Sequence, residues 1–116
     1  MQRYLGLRKK VDINRVFLSK KKAFNESFTV YYRYNNLDHP RFCFAISKKY
    51  GKANKRNLLK RRLKAIIEAH AGDFDKPYDI VISVKPTVID YDFYKIRKRF
   101  LSLLRKINVL KDKAYE

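Results

Sequence analysis

The sequence predicts a single α+β domain with the element order αββαβα. Two segments alternate between apolar and polar residues, and two longer segments repeat apolar residues every three or four positions. These are the spacings of half-buried strands and amphipathic helices. With 116 residues, 46% of them hydrophobic, the chain can build one hydrophobic core. We therefore expect one domain over residues 1–116, in which helices pack against a small sheet of three or more strands.

The N-terminal part supplies one helix and two strands. Residues 12–19 have apolar positions at helical spacing behind Asp12, a candidate N-cap. Residues 23–34 alternate and are rich in aromatic and β-branched side chains, which is typical of a strand. The polar residues 35–40 form a turn, and residues 41–47 alternate again. A hairpin is the expected result.

The second strand is asymmetric, because one of its faces is bulky and the other is small. Its small face is edged by Tyr31 and Arg33 of the preceding strand. Such a face suits a shallow groove, although a sparsely covered solvent face fits the alternation equally well. The bulky residues are Phe42, Phe44 and Ile46, and the small ones are Cys43, Ala45 and Ser47.

The C-terminal part adds a helix, a strand and a last helix. Residues 54–71 contain no Gly or Pro, and Gly72 is the expected stop. Tyr78–Val84 is a mostly apolar strand, and residues 90–107 form an amphipathic helix. Residues 1–11 are expected to be a basic arm and residues 111–116 to fray. The buried helix positions are expected to be Leu59, Leu63, Ile66, Ile67 and His70, then Phe93, Ile96, Phe100, Leu103, Leu104 and Ile107.

The charge points to a polyanionic partner. The chain has 29 Lys and Arg against 11 Asp and Glu, a formal charge of +18, and self-repulsion of this size destabilises a compact state unless an anion offsets it. No run approaches the ~18 apolar residues of a membrane span, and the basic N-terminus lacks the apolar region of a secretory signal. We therefore expect a cytoplasmic protein that binds nucleic acid. Its single cysteine, Cys43, forms no internal disulfide and is expected to be a small buried strand residue.

The densest basic run begins in a loop and continues into the central helix. No acidic residue lies between Ala45 and Ile67. Several of the cations repeat every four residues, where like charges repel. A helix with this many mutually repelling cations is expected to bind phosphate groups. The N-terminus of the helix also attracts an anion, through its dipole and its free backbone N–H groups. The candidate RNA-binding residues are Lys48, Lys49, Lys52, Arg56, Asn57, Lys60, Arg61 and Lys64.

Catalytic motifs are sparse. The segment GKANKRN lacks the second glycine and the ending of a nucleotide-binding P-loop. His39 and His70 have no partner at metal-ligand spacing. Asp90 and Asp92 open the last helix, where capping explains them. We therefore expect no catalytic residue and no metal site in the chain itself.

Aromatic residues complete the pattern of a nucleic-acid binder. Ile13 and Phe17 share a face of the first helix, and Tyr31 points from the small-residue face of the sheet. Together they could stack on unpaired bases, while Arg33 and Lys49 hold the backbone. Placement of Phe17 in the core is the equally weighted alternative.

The stretch SKKYGKANKRNLLKRRLK, residues 47–64, resembles the protein subunit of bacterial ribonuclease P. That family has a lysine-rich strand end, a glycine turn and an Arg-Asn-Arg helix followed by Lys-Arg. Leu58 stands where the third motif residue is arginine. The resemblance extends to LRKK before the first helix, to the hairpin and to Lys85-Pro86. The matching residues are Ser47, Lys48, Lys49, Gly51, Ala53, Arg56, Asn57, Lys60 and Arg61, with Lys64 at a position usually basic.

The resemblance implies a specific fold and function. The fold is an α-β sandwich with a left-handed βαβ crossover, like the second domain of a small-subunit ribosomal protein. The function is that of a noncatalytic partner for a catalytic RNA, and the holoenzyme removes the 5′ leader of precursor tRNA. Hydrolysis depends on Mg²⁺ held mainly by the RNA, and the protein requires neither a further protein partner nor a membrane.

The resemblance also implies a cleft for the single-stranded leader, between the first helix and the sheet. The basic helix would then face the RNA subunit. A ribosome-associated basic RNA-binding protein or RNA chaperone is the alternative, and a self-sufficient nuclease is a third class that the scattered acidic residues disfavour. The cleft residues are Ile13, Phe17, Tyr31, Arg33, Ala45 and Ser47.

Overall fold

The computed structural model describes residues 5–86 and 93–111, and it confirms the α+β class. The order is αβββαβα, with one short strand more than predicted. Short 3₁₀ turns precede and follow the central helix, at Lys48–Tyr50 and Ala71–Asp73. The main elements are α1 (Lys10–Leu18), β1 (Lys22–Phe24), β2 (Phe28–Tyr34), β3 (Arg41–Ile46), α2 (Ala53–Ala69), β4 (Tyr78–Val84) and α3 (Phe93–Lys106).

The four strands form one sheet in the order β1-β2-β4-β3. β4 pairs with β2 antiparallel and with β3 parallel, so the connection through α2 is a βαβ crossover. The predicted hairpin between residues 23–34 and 41–47 is therefore wrong, because β4 lies between those strands. β4 is buried on both faces over much of its length, and such a strand belongs in the centre of a sheet. The left hand of the crossover stays a prediction.

The hairpin that does form joins β1 to β2. The Asn25 side chain accepts hydrogen bonds from the backbone N–H groups of Ser27 and Phe28, each at 3.0 Å, which is an Asx turn. This turn breaks the alternation that residues 23–34 suggest. Phe24 pairs with Thr29 and so lies on the face opposite Phe28.

Two layers of helix enclose the sheet. α2 and α3 cover one face and form the main core with the strands, as the sequence predicts for both helices. Phe93 is an exception, since it is 38% exposed, and so is His70, which is half-buried at the C-cap of α2. α1 covers part of the other face with a smaller cluster. The buried helix residues of the main core include Leu59, Leu63, Ile66, Ile67, Ile96, Phe100, Leu103, Leu104 and Ile107.

The segment before α1 packs on the free edge of β3. Leu5 and Leu7 are buried, and the Leu7 N–H donates to the Phe42 carbonyl at 2.8 Å. Within the predicted basic arm, residues 5–7 therefore pack in the fold, whereas residues 8–11 are exposed and α1 begins at Lys10. The predicted N-cap Asp12 is wrong, because α1 starts two residues before it with Lys9 as the N-cap, and Asp12 lies in the first turn of the helix.

The end of α2 and the C-terminal end of the described chain both differ slightly from the prediction. α2 ends at Ala69, and Gly72 lies in the following 3₁₀ turn instead of stopping the helix. The Lys111 N–H donates to the Asp73 carbonyl at 2.9 Å, so the fold holds the chain up to that residue. The predicted caps Asp90 and Asp92, and the tail 112–116, lie outside the described residues.

Candidate nucleic-acid interface

The sheet face that carries α1 is built from rows of paired residues. One row is Tyr31, Val81 and Cys43, and the next is Thr29, Ser83 and Ala45. α1 covers the first row, where its Val16 is fully buried against Val81 and Leu7, with Ile13 half-buried beside them. The second row, which is Thr29, Ser83 and Ala45, is not part of this cluster under α1.

Phe17 stands at the boundary between α1 and the open part of the face. Its ring centroid lies 4.8 Å from that of Tyr31, with an interplanar angle of 61°. Edge-to-face pairs of this kind hold both rings in place. Phe17 remains 42% exposed, so it is a surface residue and the core alternative for it is wrong. The pair offers an ordered aromatic surface at the side of the cleft.

The floor of the cleft is shallow and uncharged. It is an open depression of about 430 Å³ that includes predicted residues Ala45 and Ser47. Small side chains leave room there for flat groups to approach the sheet. The lining residues are Ala45, Ile46, Ser47, Ser83, Val84 and Pro86.

Arg33 is the predicted cleft residue that the fold does not bring to this floor. It pairs with Asp79 on β4, whereas Ala45 pairs with Ser83. Four residues of strand separate these two β4 positions, or roughly 13 Å. Arg33 is exposed at the other end of the face.

Two further residues belong to the cleft face. Phe24 is 62% exposed, and the Lys85 Nζ lies 5.0 Å from its ring centroid, within the range of a cation–π contact. Strand alternation places Phe24 on the wrong face. The polar residues Asn25, Glu26 and Ser27 indicate a turn, and that turn could have been used to place Phe24 on the correct face. Lys85 is the first residue after β4.

A partly buried ion pair ties α1 to the sheet. Arg41 Nε and Nη2 donate to the two Asp79 carboxylate oxygens at 2.8 and 2.7 Å, a bidentate geometry. This hydrogen bonding raises the pKa of Arg41 above its ordinary value. Asn35 Nδ2 also donates to Asp79 at 3.0 Å, and Asp12 of α1 lies 3.7 Å from Arg41. The start of α1 is thereby fixed over the strand ends.

The predicted basic residues form a continuous surface from the end of β3 along α2. Ser47 Oγ accepts the Lys49 N–H at 3.1 Å, which shapes the turn that presents Lys48 and Lys49. Lys52 is the N-cap position of α2. The remaining residues lie on one flank of the helix, half-exposed at Arg56, Lys60 and Lys64 and exposed at Asn57 and Arg61.

This basic flank meets the cleft face at β3. Lys60 and Lys64 line one hollow with Cys43 and with the segment Gly6, Leu7 and Arg8. Burial raises the pKa of the Cys43 thiol, and the nearby Lys60 ammonium partly opposes this effect. The proximity of Lys60 to Cys43 shows that the α2 cations reach the edge strand whose next residues form the cleft floor. The two predicted surfaces are therefore adjacent.

The described residues provide no set of side chains that could hold a metal ion. Within residues 5–86 and 93–111, no three His, Cys, Asp or Glu side chains come together. Over the same ranges, every helix is too short or too polar to cross a bilayer.

Comparison with known proteins identifies the family. The family model for ribonuclease P matches residues 1–108. The ribonuclease P protein component of Phytoplasma australiense is 39% identical over 111 residues, covering 95% of this chain and 96% of that protein. The Thermotoga maritima protein is 34% identical over 105 residues, covering 87% and 90%.

Solved structures give the same result. The chain matches the RNase P protein from Thermotoga maritima with a TM-score of 0.80 and 32% identity, covering 87% of this chain and 96% of that one. The Staphylococcus aureus RNase P protein gives a TM-score of 0.85 at 25% identity, covering 92% and 98%. These matches do not favour a ribosome-associated protein or RNA chaperone. The chain therefore belongs to the ribonuclease P protein family and is a protein component of a ribonuclease P complex.

Proposed function

We propose that this chain binds the catalytic RNA of ribonuclease P and the single-stranded 5′ leader of precursor tRNA at the same time. The observation that carries the proposal is the adjacency of two different surfaces at β3. Lys60 and Lys64 line a hollow with Cys43, and the cleft floor begins two residues further, at Ala45. One RNA can therefore be held beside another without either occupying both surfaces.

The basic flank of α2 suits the backbone of a structured RNA. Its cations neutralise phosphates and release counterions, which gives affinity with little sequence preference. Lys52 and the first turn of α2 add backbone N–H groups and the positive end of the helix dipole. We assign this surface to the RNA subunit.

The cleft suits unpaired nucleotides. Phe17 provides an exposed ring and Tyr31 a half-buried one beside it, and every base can stack on aromatic rings. The small floor residues Ala45 and Ser47 allow bases to approach the sheet closely. Recognition of this kind tolerates many leader sequences, as a single enzyme acting on many precursors requires.

In this proposal the RNA subunit performs the hydrolysis and holds Mg²⁺. The described residues do not fit a metal site, since their acidic and histidine side chains do not cluster in threes. The role of the chain is to position RNA, with the leader held next to the RNA subunit. Its site of action would be the cytoplasm.

Reconstitution of precursor tRNA cleavage tests this function. We expect catalytic RNA with the protein to release the 5′ leader faster, and at lower Mg²⁺, than catalytic RNA alone. The purified protein alone should release none. Cleavage by the protein free of RNA, or no change on adding it, would overturn the proposal.

A charge-matched pair of variants sharpens the assay. Lys60→Gln with Lys64→Gln removes two charges from the basic flank, and Lys76→Gln with Lys111→Gln removes two exposed charges elsewhere. The first pair should raise the protein concentration needed for half-maximal cleavage several-fold more than the second. Equal effects of the two pairs would count against the assignment of the α2 surface.

A further inference from the structure

A second basic groove lies on the side of the sheet away from α1. It is formed by the C-terminal end of α2 and one stripe of α3, and its volume is about 350 Å³. Tyr94, Arg97, Lys98, Leu101 and Arg105 follow the spacing of one helix face. The groove is lined by these five residues and His70.

The charge pattern of α3 repeats that of α2. Between Phe93 and Lys106 there are six Lys or Arg and no Asp or Glu. Neighbouring cations on a helix repel, and a merely solvated helix would mix signs. One of the six, Arg99, points away from the groove and pairs with Glu26 at 2.9 Å. The groove residues Arg97 and Lys98 are exposed.

The groove is also shaped by contacts that order its cations. His70 Nδ1 lies 3.4 Å from Asp73 Oδ2, and His70 Nε2 lies 3.4 Å from Arg97 Nη2. The imidazole thus sits between an acid and the first guanidinium. Arg97 and Arg105 are eight residues apart, or about 12 Å along the helix, which spans more than one phosphate of a nucleic-acid strand. Tyr94, 70% exposed, adds a ring at one end.

We propose that this groove is a second phosphate-binding site, which takes the sugar-phosphate backbone of RNA on the side of the sheet opposite the cleft. It goes beyond the function proposed above, because neither the α2 flank nor the cleft includes it. The bound backbone belongs either to a distant region of the catalytic RNA or to the precursor. Both share the phosphodiester chemistry that guanidinium and ammonium groups recognise.

Salt-dependent binding to the catalytic RNA tests the site. Arg97→Gln with Lys98→Gln should weaken binding and reduce the slope of log K against log salt by about 1.4–1.8, since each lost phosphate contact contributes about 0.7–0.9. The charge-matched control is Lys20→Gln with Lys21→Gln, two exposed residues outside the groove. A loss no larger than in the control overturns the site for this RNA. Thermal unfolding of each variant confirms that it is folded.

The same titration separates this proposal from the proposed function. If Lys60→Gln with Lys64→Gln weakens binding and the α3 pair does not, the proposed phosphate site in the groove is contradicted. The assignment of the α2 flank to the RNA subunit is then supported. If only the α3 pair weakens binding, the phosphate site in the groove is supported and the assignment of the α2 flank to the RNA subunit is contradicted.

A tethered probe locates the bound RNA directly. An iron chelate attached at Ser102→Cys, an exposed α3 position, in a Cys43→Ala background should cleave nearby nucleotides in the reconstituted complex. Cuts that disappear when Arg97→Gln with Lys98→Gln is added support the site. The RNA that is cut, catalytic RNA or precursor, is the one that supplies the bound backbone. Absence of cuts in both RNAs overturns it.

Discussion

At the scale of single residues, the cleft depends on an aromatic pair that is ordered but not buried. Phe17 packs its ring at 4.8 Å from Tyr31 and keeps 42% of its surface exposed. A ring buried in the core would be unable to stack on a base, and an isolated exposed ring would lose conformational entropy on binding. Phe17 is exposed enough to stack on a base, and its contact with Tyr31 already limits the conformational entropy that it would lose.

Phe17→Ala is expected to weaken binding of precursor tRNA and to leave binding of mature tRNA nearly unchanged. Stacking of a base on an aromatic ring contributes about 1–3 kcal/mol, so the affinity for precursor should fall roughly 5-fold to 150-fold. Leu18→Ala is the matched control, because Leu18 is the next residue of α1 and is 76% exposed. Competition binding with both tRNAs measures the effect, and equal losses on the two would contradict a leader cleft.

Cys43 gives a second residue-scale prediction, through the pKa of its thiol. Burial raises this pKa above its ordinary value and Lys60 opposes the rise. The neutral thiol should therefore persist to higher pH than a free cysteine, and alkylation by iodoacetamide at neutral pH should be slow because the thiolate is the nucleophile.

Lys60→Gln tests the sign of this effect. Loss of the ammonium removes the influence that lowers the pKa, so the pH profile of alkylation should shift upward and the rate at neutral pH should fall. Arg61→Gln serves as the control on the same helix. Faster alkylation in Lys60→Gln would show that the ammonium does not act on the thiol.

At the scale of elements, the sequence predicts the helices and β4 well and the pairing of strands poorly. β4 was predicted with its observed bounds, Tyr78–Val84, and α2 within two residues at either end, because dense apolar periodicity is local information. That β4 inserts between β2 and β3 is a non-local choice, which alternation cannot reveal. The single strand predicted over residues 23–34 is divided for a related reason, since one side-chain turn at Asn25 reverses which face the residues before it occupy.

The turn between β3 and α2 explains a glycine requirement in this basic surface. Gly51 has φ 157° and ψ −169°, a region that only glycine adopts without strain. A Cβ there would also lie 3.3 Å from the Lys55 Cδ. This residue sets the angle between the Lys48–Tyr50 turn and α2.

Gly51→Ala is expected to destabilise the fold by about 1–3 kcal/mol, as measured by urea unfolding. Gly72→Ala is the control, because a Cβ at Gly72 meets no heavy atom within 4 Å and should leave stability nearly unchanged or slightly raised. An equal loss of stability in both variants would contradict the backbone argument.

At the scale of the whole molecule, the cations behind the +18 charge lie on separate surfaces. The α2 flank carries cations beside the cleft, and α3 carries a second set on the same layer of helices. Between the α2 cations and Phe17 lies a floor of uncharged side chains. Composition predicted a polyanion partner, but only the fold separates the cations proposed to hold a backbone from the uncharged and aromatic residues proposed to contact bases.

This division predicts two distinct responses to salt. Binding of precursor tRNA to the reconstituted complex should weaken steeply as salt rises, with a slope that implies several phosphates. Lys60→Gln with Lys64→Gln should flatten that slope by about 1.4–1.8, because two phosphate contacts of about 0.7–0.9 each are lost. Phe17→Ala should instead lower the affinity by a similar factor at every salt concentration, since stacking releases no counterions.

Binding isotherms from low to high KCl, fitted for each variant, distinguish the two behaviours. If Phe17→Ala flattened the slope as much as the lysine pair does, the cleft would be acting through charge, and its uncharged floor would have no separate role. If the lysine pair lowered affinity without a change in slope, the α2 flank would not be contacting phosphates. Parallel lines for Phe17→Ala and a shallower line for the lysine pair are expected, because we propose that the cleft binds bases and the α2 flank binds the backbone.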